Sequence, residues 1–289
     1  MKGRAGWDRR RTVALILVCA LAAIALGLGI HALLKIQKIR GLLVDLELQG
    51  PAATRYGELR DALVAKLPGT TPALRKLHVS LDYVHFTMLD GKLSEAEKFD
   101  FVLLSPQATP WYMYRREASV HLERLKRFVR DLVFKGNKPL LGICGGHQFL
   151  ALTFGASVDF IDDRFSGRFP DHYPKEAISE RGPVLLETLR DDEILAGIAS
   201  HPGRLLVFQS HYEEVKRVPE PFVNIARSDL SEVQLIRFPG RPIYGMAFHP
   251  ERGWNSSSTD ANATNAGQRI LANFLAMVVE SKRSRLGLR

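Results

Sequence analysis

The residue with the clearest chemical potential is Cys144, in the run Leu140 to Leu150, LLGICGGHQFL. A short apolar strand pattern reaches the cysteine, and a new apolar helix pattern begins just after it. Gly142 and Gly146 flank it at G-x-C-x-G spacing; small neighbours are what a tight strand-to-helix elbow requires. Such a turn presents the sulfur at a helix N-terminus, where unpaired backbone N–H groups favour thiolate over thiol. The N–H of Gly145 is then free to bond a developing oxyanion. A glycine-rich turn that merely buries a cysteine is the bland alternative for this segment alone. A second segment supplies a base: Ile243 to Glu251, IYGMAFHPE, reads as a strand ending in His249-Pro250-Glu251. Residues two apart on an extended strand project to one face. Glu251 can therefore orient His249 and stabilise its cation, the third-group role in a cysteine–histidine–acid triad.

These residues need a scaffold that brings distant segments together. Ile39 to Leu46 reads as a strand closed by Gly50-Pro51, followed by a helical pattern around Leu59, Ala62, Leu63 and Leu67. Strand candidates follow at Leu77 to Phe86 and Phe99 to Leu104. Arg115 to Phe134 places Ala118, Leu122, Leu125, Val129, Leu132 and Val133 at helical spacing. Pro139 to Ile143 is the strand that leads into Cys144. Further strands are expected at Leu205–Gln209, Phe222–Ala226, Val233–Phe238 and Ile243–Phe248, then a last helix carrying Ile270, Leu271, Phe274, Leu275 and Val278. The polar run Asn255 to Asn265 reads as a surface loop. Strands alternating with helices predict an α/β fold with a doubly wound, mainly parallel sheet flanked by helices. Ligands in such sheets sit beyond the carboxyl ends of the strands, where Ser105–Trp111 and Cys144–Gln148 fall.

The two motifs, about a hundred residues apart in this order, resemble the class I glutamine amidotransferases, with a G-x-C-x-G-x-Q nucleophile motif and a closing H-P-E. Ser210-His211-Tyr212-Glu213-Glu214-Val215 is similar to the family's S-H-x-D-x-V segment, with Glu for Asp. The resemblance covers roughly 39–280. It implies Cys144, His249 and Glu251 as catalytic residues, Gln148 in placing the substrate, and the backbone of Ser210, His211 and Tyr212 at its amino-acid end. His211 also fits an ordinary surface histidine. The chain departs from the family after the third strand, where many members carry glycine and this one reads Ser105-Pro106-Gln107-Ala108-Thr109-Pro110-Trp111. A second oxyanion donor must then come from the backbone N–H of Gln107 or Ala108. Trp111, Tyr112 and Tyr114 either line the substrate mouth or cover the sheet, and read here as a cover.

The implied reaction is hydrolysis of the glutamine side-chain amide, or a related γ-glutamyl amide, through a cysteine thioester, with neither metal nor cofactor. No P-loop or G-x-G-x-x-G run is present to activate an ammonia acceptor, so the resemblance implies that the partner is a separate synthase subunit. Two rivals remain: a stand-alone γ-glutamyl hydrolase, and a non-catalytic, membrane-tethered binding or regulatory module suggested by the glycine-free loop.

The bulk composition, 46% hydrophobic and 25% charged over 289 residues, is that of an ordered globular chain. Lys plus Arg number 40 against 31 Asp plus Glu, a formal +9, and much of the excess lies at the two ends. No nucleic-acid-binding signature accompanies it. There are two cysteines, Cys19 and Cys144, and Cys19 lies in an apolar run, so a disulfide framework is excluded. Residues 12–34 carry no Lys, Arg, Asp or Glu and are long enough to span a bilayer. They predict one transmembrane helix rather than a signal peptide, since the run exceeds a usual h-region and no small-x-small site closes it. The expected organisation is a basic tail (1–11), the anchor (12–34), a catalytic domain (39–280) and a basic tail (281–289). The expected localisation is single-pass in a membrane, in contact with lipid, with the side carrying the domain left open.

Overall fold

The computed structural model describes residues 37–287 apart from 51–52, 68–70, 72–73, 75, 90–92, 169, 199–202 and 253–260. In chain order the strands are β1 (Gln37–Asp45), β2 (Leu77–His85), β3 (Phe101–Leu104), β4 (Leu140–Ile143), β5 (Val158–Phe160), β6 (Glu180–Thr188), β7 (Arg204–His211), β8 (Glu213–Val215), β9 (Val223–Arg227), β10 (Leu235–Arg237) and β11 (Ile243–Met246). The helices are α1 (Ala53–Arg60), α2 (Leu93–Glu97), α3 (Trp111–Glu117), α4 (Ser119–Asp131), α5 (Gly145–Thr153) and α6 (Ala261–Arg285).

Nine strands form one sheet in the order β2-β1-β3-β4-β11-β10-β9-β6-β7, and β5 pairs with β8 apart from it. Pairings β1–β3, β3–β4 and β4–β11 are parallel; β11–β10, β10–β9, β9–β6 and β6–β7 are antiparallel. The parallel strands are apolar runs buried on both faces, as helix-covered parallel sheets require. Alternation along them separates the core in two. Leu43, Phe101, Leu103, Leu141, Ile143, Tyr244 and Met246 pack with Leu59 and Leu63 near α1 and with Ile270, Leu271 and Phe274 of α6. Leu42, Val44, Val102, Leu104, Leu140 and Ile243 pack with Leu125, Phe128 and Val129 of α4 and with Phe149 and Leu150 of α5. Each fully buried Leu or Phe contributes about 1.5–3 kcal/mol. The expected doubly wound, helix-flanked arrangement is thus present.

Local differences from expectation have local causes. The helix expected from Arg115 starts earlier, at Trp111 behind Pro110, and is interrupted at Ala118, whose φ of −137° and ψ of 24° leave the helical region. It continues through a π-turn to Gly136 and ends at Asn137, in the left-handed region at φ 43°. β6 was not anticipated, because Gly182-Pro183 reads as a break and the strand is largely exposed on one side. The last helix begins at Ala261, inside the polar run expected as loop. It runs to Arg285, past the expected start of the basic tail, and Lys282 Nζ donates to Lys38 O at 2.7 Å and to Asp100 Oδ2 at 2.8 Å.

The expected membrane placement is not upheld. Among the described residues no helix is long and apolar enough to cross a membrane, and no described feature supports the lipid partner that went with it. Residues 12–34, on which that expectation rested, and the basic tail 1–11 lie outside the described residues.

Candidate functional site

Adjacent parallel strands with matched ends bring the two motifs together. β4 and β11 pair in register to Ile143 and Met246, and Cys144 N–H then donates to Met246 O at 2.8 Å. Cys144 is the N-cap of α5 with φ 50° and ψ −104°, a positive φ that a non-glycine residue adopts only under local constraint. Its flanking glycines are sterically required. A Cβ on Gly142 would lie 2.5 Å from Gly146 O, and one on Gly146 would lie 2.3 Å from Leu104 O.

His249 follows β11 and is fixed by its backbone, whose N–H donates to Phe208 O on β7 at 2.8 Å. That contact is possible because β6 meets β9 only at Glu187 and Thr188, and the β6–β7 hairpin reaches back to the site. The ring Nδ1 lies 2.7 Å from Glu251 Oε1, with both side chains buried. Nε2 has no close hydrogen-bond partner, and besides Glu251 the charge acting on the ring is that of Cys144. Burial works against the imidazolium, but Glu251 and Cys144 outweigh it and raise the ring pKa to about 9. Burial likewise pushes the Cys144 thiol up, yet the charge of His249, with a smaller contribution from His211, overcomes it and holds the thiol below its ordinary value. The arrangement favours a thiolate–imidazolium pair.

Cys144 and His249 line one cavity of about 210 Å³ together with Gln107, Ala108, Gln148, Tyr173, Arg181, Ser210, His211, Tyr212, Glu213 and Arg252. All the sequence-expected site residues outside the elbow glycines, Gly145 and Glu251 thus meet at this cavity. The two candidate oxyanion donors separate here. Ala108 N–H donates to Glu47 Oε2 at 2.9 Å, and Thr109 Oγ donates to Glu47 Oε1 at 2.6 Å. Ala108 is therefore corrected out of the oxyanion role, its hydrogen already being used. Gln107 N instead abuts Gly145, 2.9 Å from where a Cβ on that glycine would stand.

Gln148 is held on both ends of its amide: Trp111 Nε1 donates to Oε1 at 2.7 Å, and Nε2 donates to Glu213 O at 2.7 Å. Trp111, 2% exposed and stacked on Phe149 in the core, reaches the site with its ring only through this bond to Gln148, in keeping with its reading as a cover for the sheet; Tyr114 is likewise buried and donates to Leu46 O. His211 is no surface residue but 5% exposed at the end of β7. Its Nε2 lies 2.9 Å from Glu180 Oε2. His147, one residue before Gln148, is buried against Gly245 with Nε2 3.1 Å from Val233 O. Burial lowers its pKa to about 4 and keeps it neutral.

Sequence reasoning missed Arg181 and Arg252 of the cavity wall, and with them Tyr173 and Glu180. Tyr173, in the stretch between β5 and β6, stacks on Tyr212 at 4.9 Å between ring centroids and donates to Glu213 Oε2 at 2.6 Å. Burial first, and then Asp159, raise the Glu213 carboxyl to about 7, although Tyr173 works the other way. Glu180 opens the unanticipated β6. No motif marks either position, and only the Glu-for-Asp departure at 213 pointed to this wall. Among the described residues no group of three or more His, Cys, Asp or Glu is placed to hold a metal ion.

A family model described as "Glutamine amidotransferase class-I" matches residues 70–276. The chain is 37% identical over 145 residues to the glutamine-hydrolysing GMP synthase subunit of Methanosarcina barkeri, covering 50% of this chain and 62% of that protein. It is 35% identical over 145 residues to the subunit of the same name from Methanopyrus kandleri, covering 50% and 64%. The matched segment therefore spans less than two thirds of these relatives. A solved structure of a putative GMP synthase subunit from Thermoplasma acidophilum superposes with a TM-score of 0.58 at 25% identity, covering 86% of this chain and 98% of that one. A glutamine amidotransferase structure from Thermotoga maritima, at 20% identity and a TM-score of 0.56 over 84% of this chain and 98% of its own, shares the fold.

Proposed function

The chain belongs to the class I glutamine amidotransferases, and from that membership we propose that it hydrolyses the side-chain amide of glutamine to supply ammonia to a separate synthase subunit. Cys144 thiolate attacks the carboxamide carbon, and the oxyanion is met by the N–H groups of Gly145 and Gln107. His249 gives its Nε2 proton to the departing nitrogen, ammonia leaves, and a γ-glutamyl thioester remains. Water then attacks the thioester while His249 takes its proton, Cys144 leaves as thiolate, and glutamate is released. Glu251 holds the ring and its charge throughout. The partner is proposed from the relatives, which are named as one subunit of a glutamine-hydrolysing GMP synthase.

The observation that carries this reading is the 2.7 Å contact of His249 Nδ1 with Glu251 Oε1, which leaves Nε2 for the sulfur that shares its cavity. Ammonia release from L-glutamine by the full chain, abolished in Cys144→Ala, is the expected result. If the wild type released none, alone or with the synthase subunit of a GMP synthase, and a diazoketone analogue of glutamine left Cys144 unlabelled, the reading would be abandoned.

A further inference from the structure

Arg181 lies on the wall of the catalytic cavity with Ser210 and Tyr212. The antiparallel register of β6 on β7 sets it directly across from Ser210, and residues paired in this way project to one face of a sheet. Its guanidinium stands over the Tyr212 ring, 4.7 Å from the centroid, and donates through Nη2 to the Tyr212 hydroxyl. That ring is stacked in turn on Tyr173, whose hydroxyl donates to Glu213. The planar fork is therefore oriented before any substrate arrives. A guanidinium has five N–H groups, and Tyr212 takes one of them. The carboxylates nearby have other partners: Glu180 accepts from Gln234, Glu213 from Tyr173, and Glu251 faces His249. Arg181 is thus a fixed cation at the cavity, with no carboxylate paired to it among the described residues.

We propose that Arg181 is a specificity-determining residue that takes the α-carboxylate of the substrate, so that the site selects a free amino-acid end over one whose carboxylate is capped as an amide. The inference rests on the proposed hydrolysis of glutamine and adds the group that reads its far end. A guanidinium meets a carboxylate through two parallel N–H bonds, and Arg181 has enough donors left to make them. Ser210 and Tyr212, expected at the amino-acid end of the substrate, are the residues it faces, which sets the charge at that end of the cavity and not at the carboxamide. The other guanidinium on the wall, Arg252, follows Glu251 at the triad end and has Glu58 Oε2 3.8 Å from its Nε. Of the two cations, Arg181 is the one left for a ligand.

The test reads binding and not turnover. L-Glutamine and its α-amide, which lacks only the carboxylate charge, are titrated calorimetrically into the full chain carrying Cys144→Ala, which cannot form the thioester. Adding Arg181→Gln is expected to weaken L-glutamine by about tenfold or more, the worth of one charge-assisted contact, and to leave the α-amide unchanged; Arg181→Lys, which keeps the charge and loses the fork, falls between. Glutamine bound equally well without Arg181, or an equal loss for both ligands, overturns the inference and leaves the glutamine reading standing. No binding of L-glutamine to the Cys144→Ala chain, with or without a synthase subunit, overturns that reading and this inference together. Should the Arg181 variants not fold, Tyr212→Phe keeps the ring and frees the guanidinium. It is expected to narrow the preference for glutamine over the α-amide, and an unchanged preference overturns the inference.

Discussion

Gln107 lies directly on Gly145: a Cβ built on that glycine would fall 2.2 Å from Gln107 Cγ and 2.9 Å from Gln107 N. The residue that replaces a glycine in this loop thus packs where the helix presents its first free N–H. Gly145→Ala must displace the Gln107 backbone and with it the second oxyanion donor. Turnover of glutamine is expected to fall by about a hundredfold or more, with a smaller loss of melting temperature than at Gly142, because the closest clash, at 2.2 Å, is with the side-chain atom Gln107 Cγ. Gly142→Ala meets backbone instead, 2.5 Å from Gly146 O, and is expected to lower the melting temperature itself. Equal loss of stability in both variants would contradict this division.

The pH dependence follows from His249. Its pKa in the fold is about 9 against an ordinary 6.5, so the stabilisation from its ion pairs is complete below about 6.5 and is lost as pH rises through about 9. Turnover should likewise decline above about pH 9 as the proton needed by the leaving nitrogen is lost. Glu251→Gln removes a charge that raises that value, and its alkaline limb is expected to move down toward the ordinary imidazole range. A kcat/KM profile whose alkaline limb is the same in both proteins would refute the assignment of Glu251.

The chemistry carried by neighbouring residues was legible in the sequence. Cys144 with its glycines, and His249 with Glu251, are short-range patterns whose spacing alone places side chains on one face or in one turn. The strands beneath them were legible because burial on both faces leaves continuous apolar runs. The walls of the cavity were not, because they arise from tertiary pairing. Tyr173 comes from an irregular stretch, Glu180 from a strand whose Gly-Pro reads as a break, and Glu47 from the segment just after β1. Nothing local to Ala108 indicates that its N–H is already taken by a carboxylate 61 residues away.

Glu213 gives a stability prediction of opposite sign to the usual carboxylate. Its pKa in the fold is about 7, raised from an ordinary 4.5 by burial. The benefit is fully present below about 4.5 and is lost as pH rises through about 7, where the buried group must ionise. Glu213→Gln keeps an acceptor for Tyr173 and cannot ionise. Its melting temperature relative to wild type is expected to climb between pH 5 and pH 9, by the equivalent of as much as about 3 kcal/mol. A difference that stays flat over this range would show that Glu213 is ionised without penalty.

Glu47 tests whether the glycine-free loop is held in a working shape. Its carboxylate takes the Ala108 N–H at 2.9 Å and the Thr109 hydroxyl at 2.6 Å, two bonds that fix the chain immediately after Gln107. Charge-assisted bonds of this kind are worth about 1.5–3 kcal/mol each, enough to hold a short loop in one conformation. Glu47→Ala should free the loop and misplace the Gln107 N–H only when the oxyanion forms. The expected signature is a fall in kcat of about tenfold or more with KM little changed, since an interaction made only in the transition state has been lost. Thr109→Ala removes one of the two bonds and should show a smaller effect of the same kind, less than additive with Glu47→Ala in the double variant. A rise in KM at constant kcat would instead place Glu47 in substrate binding, and the loop would then owe its shape to Ser105 and the two prolines that bracket it.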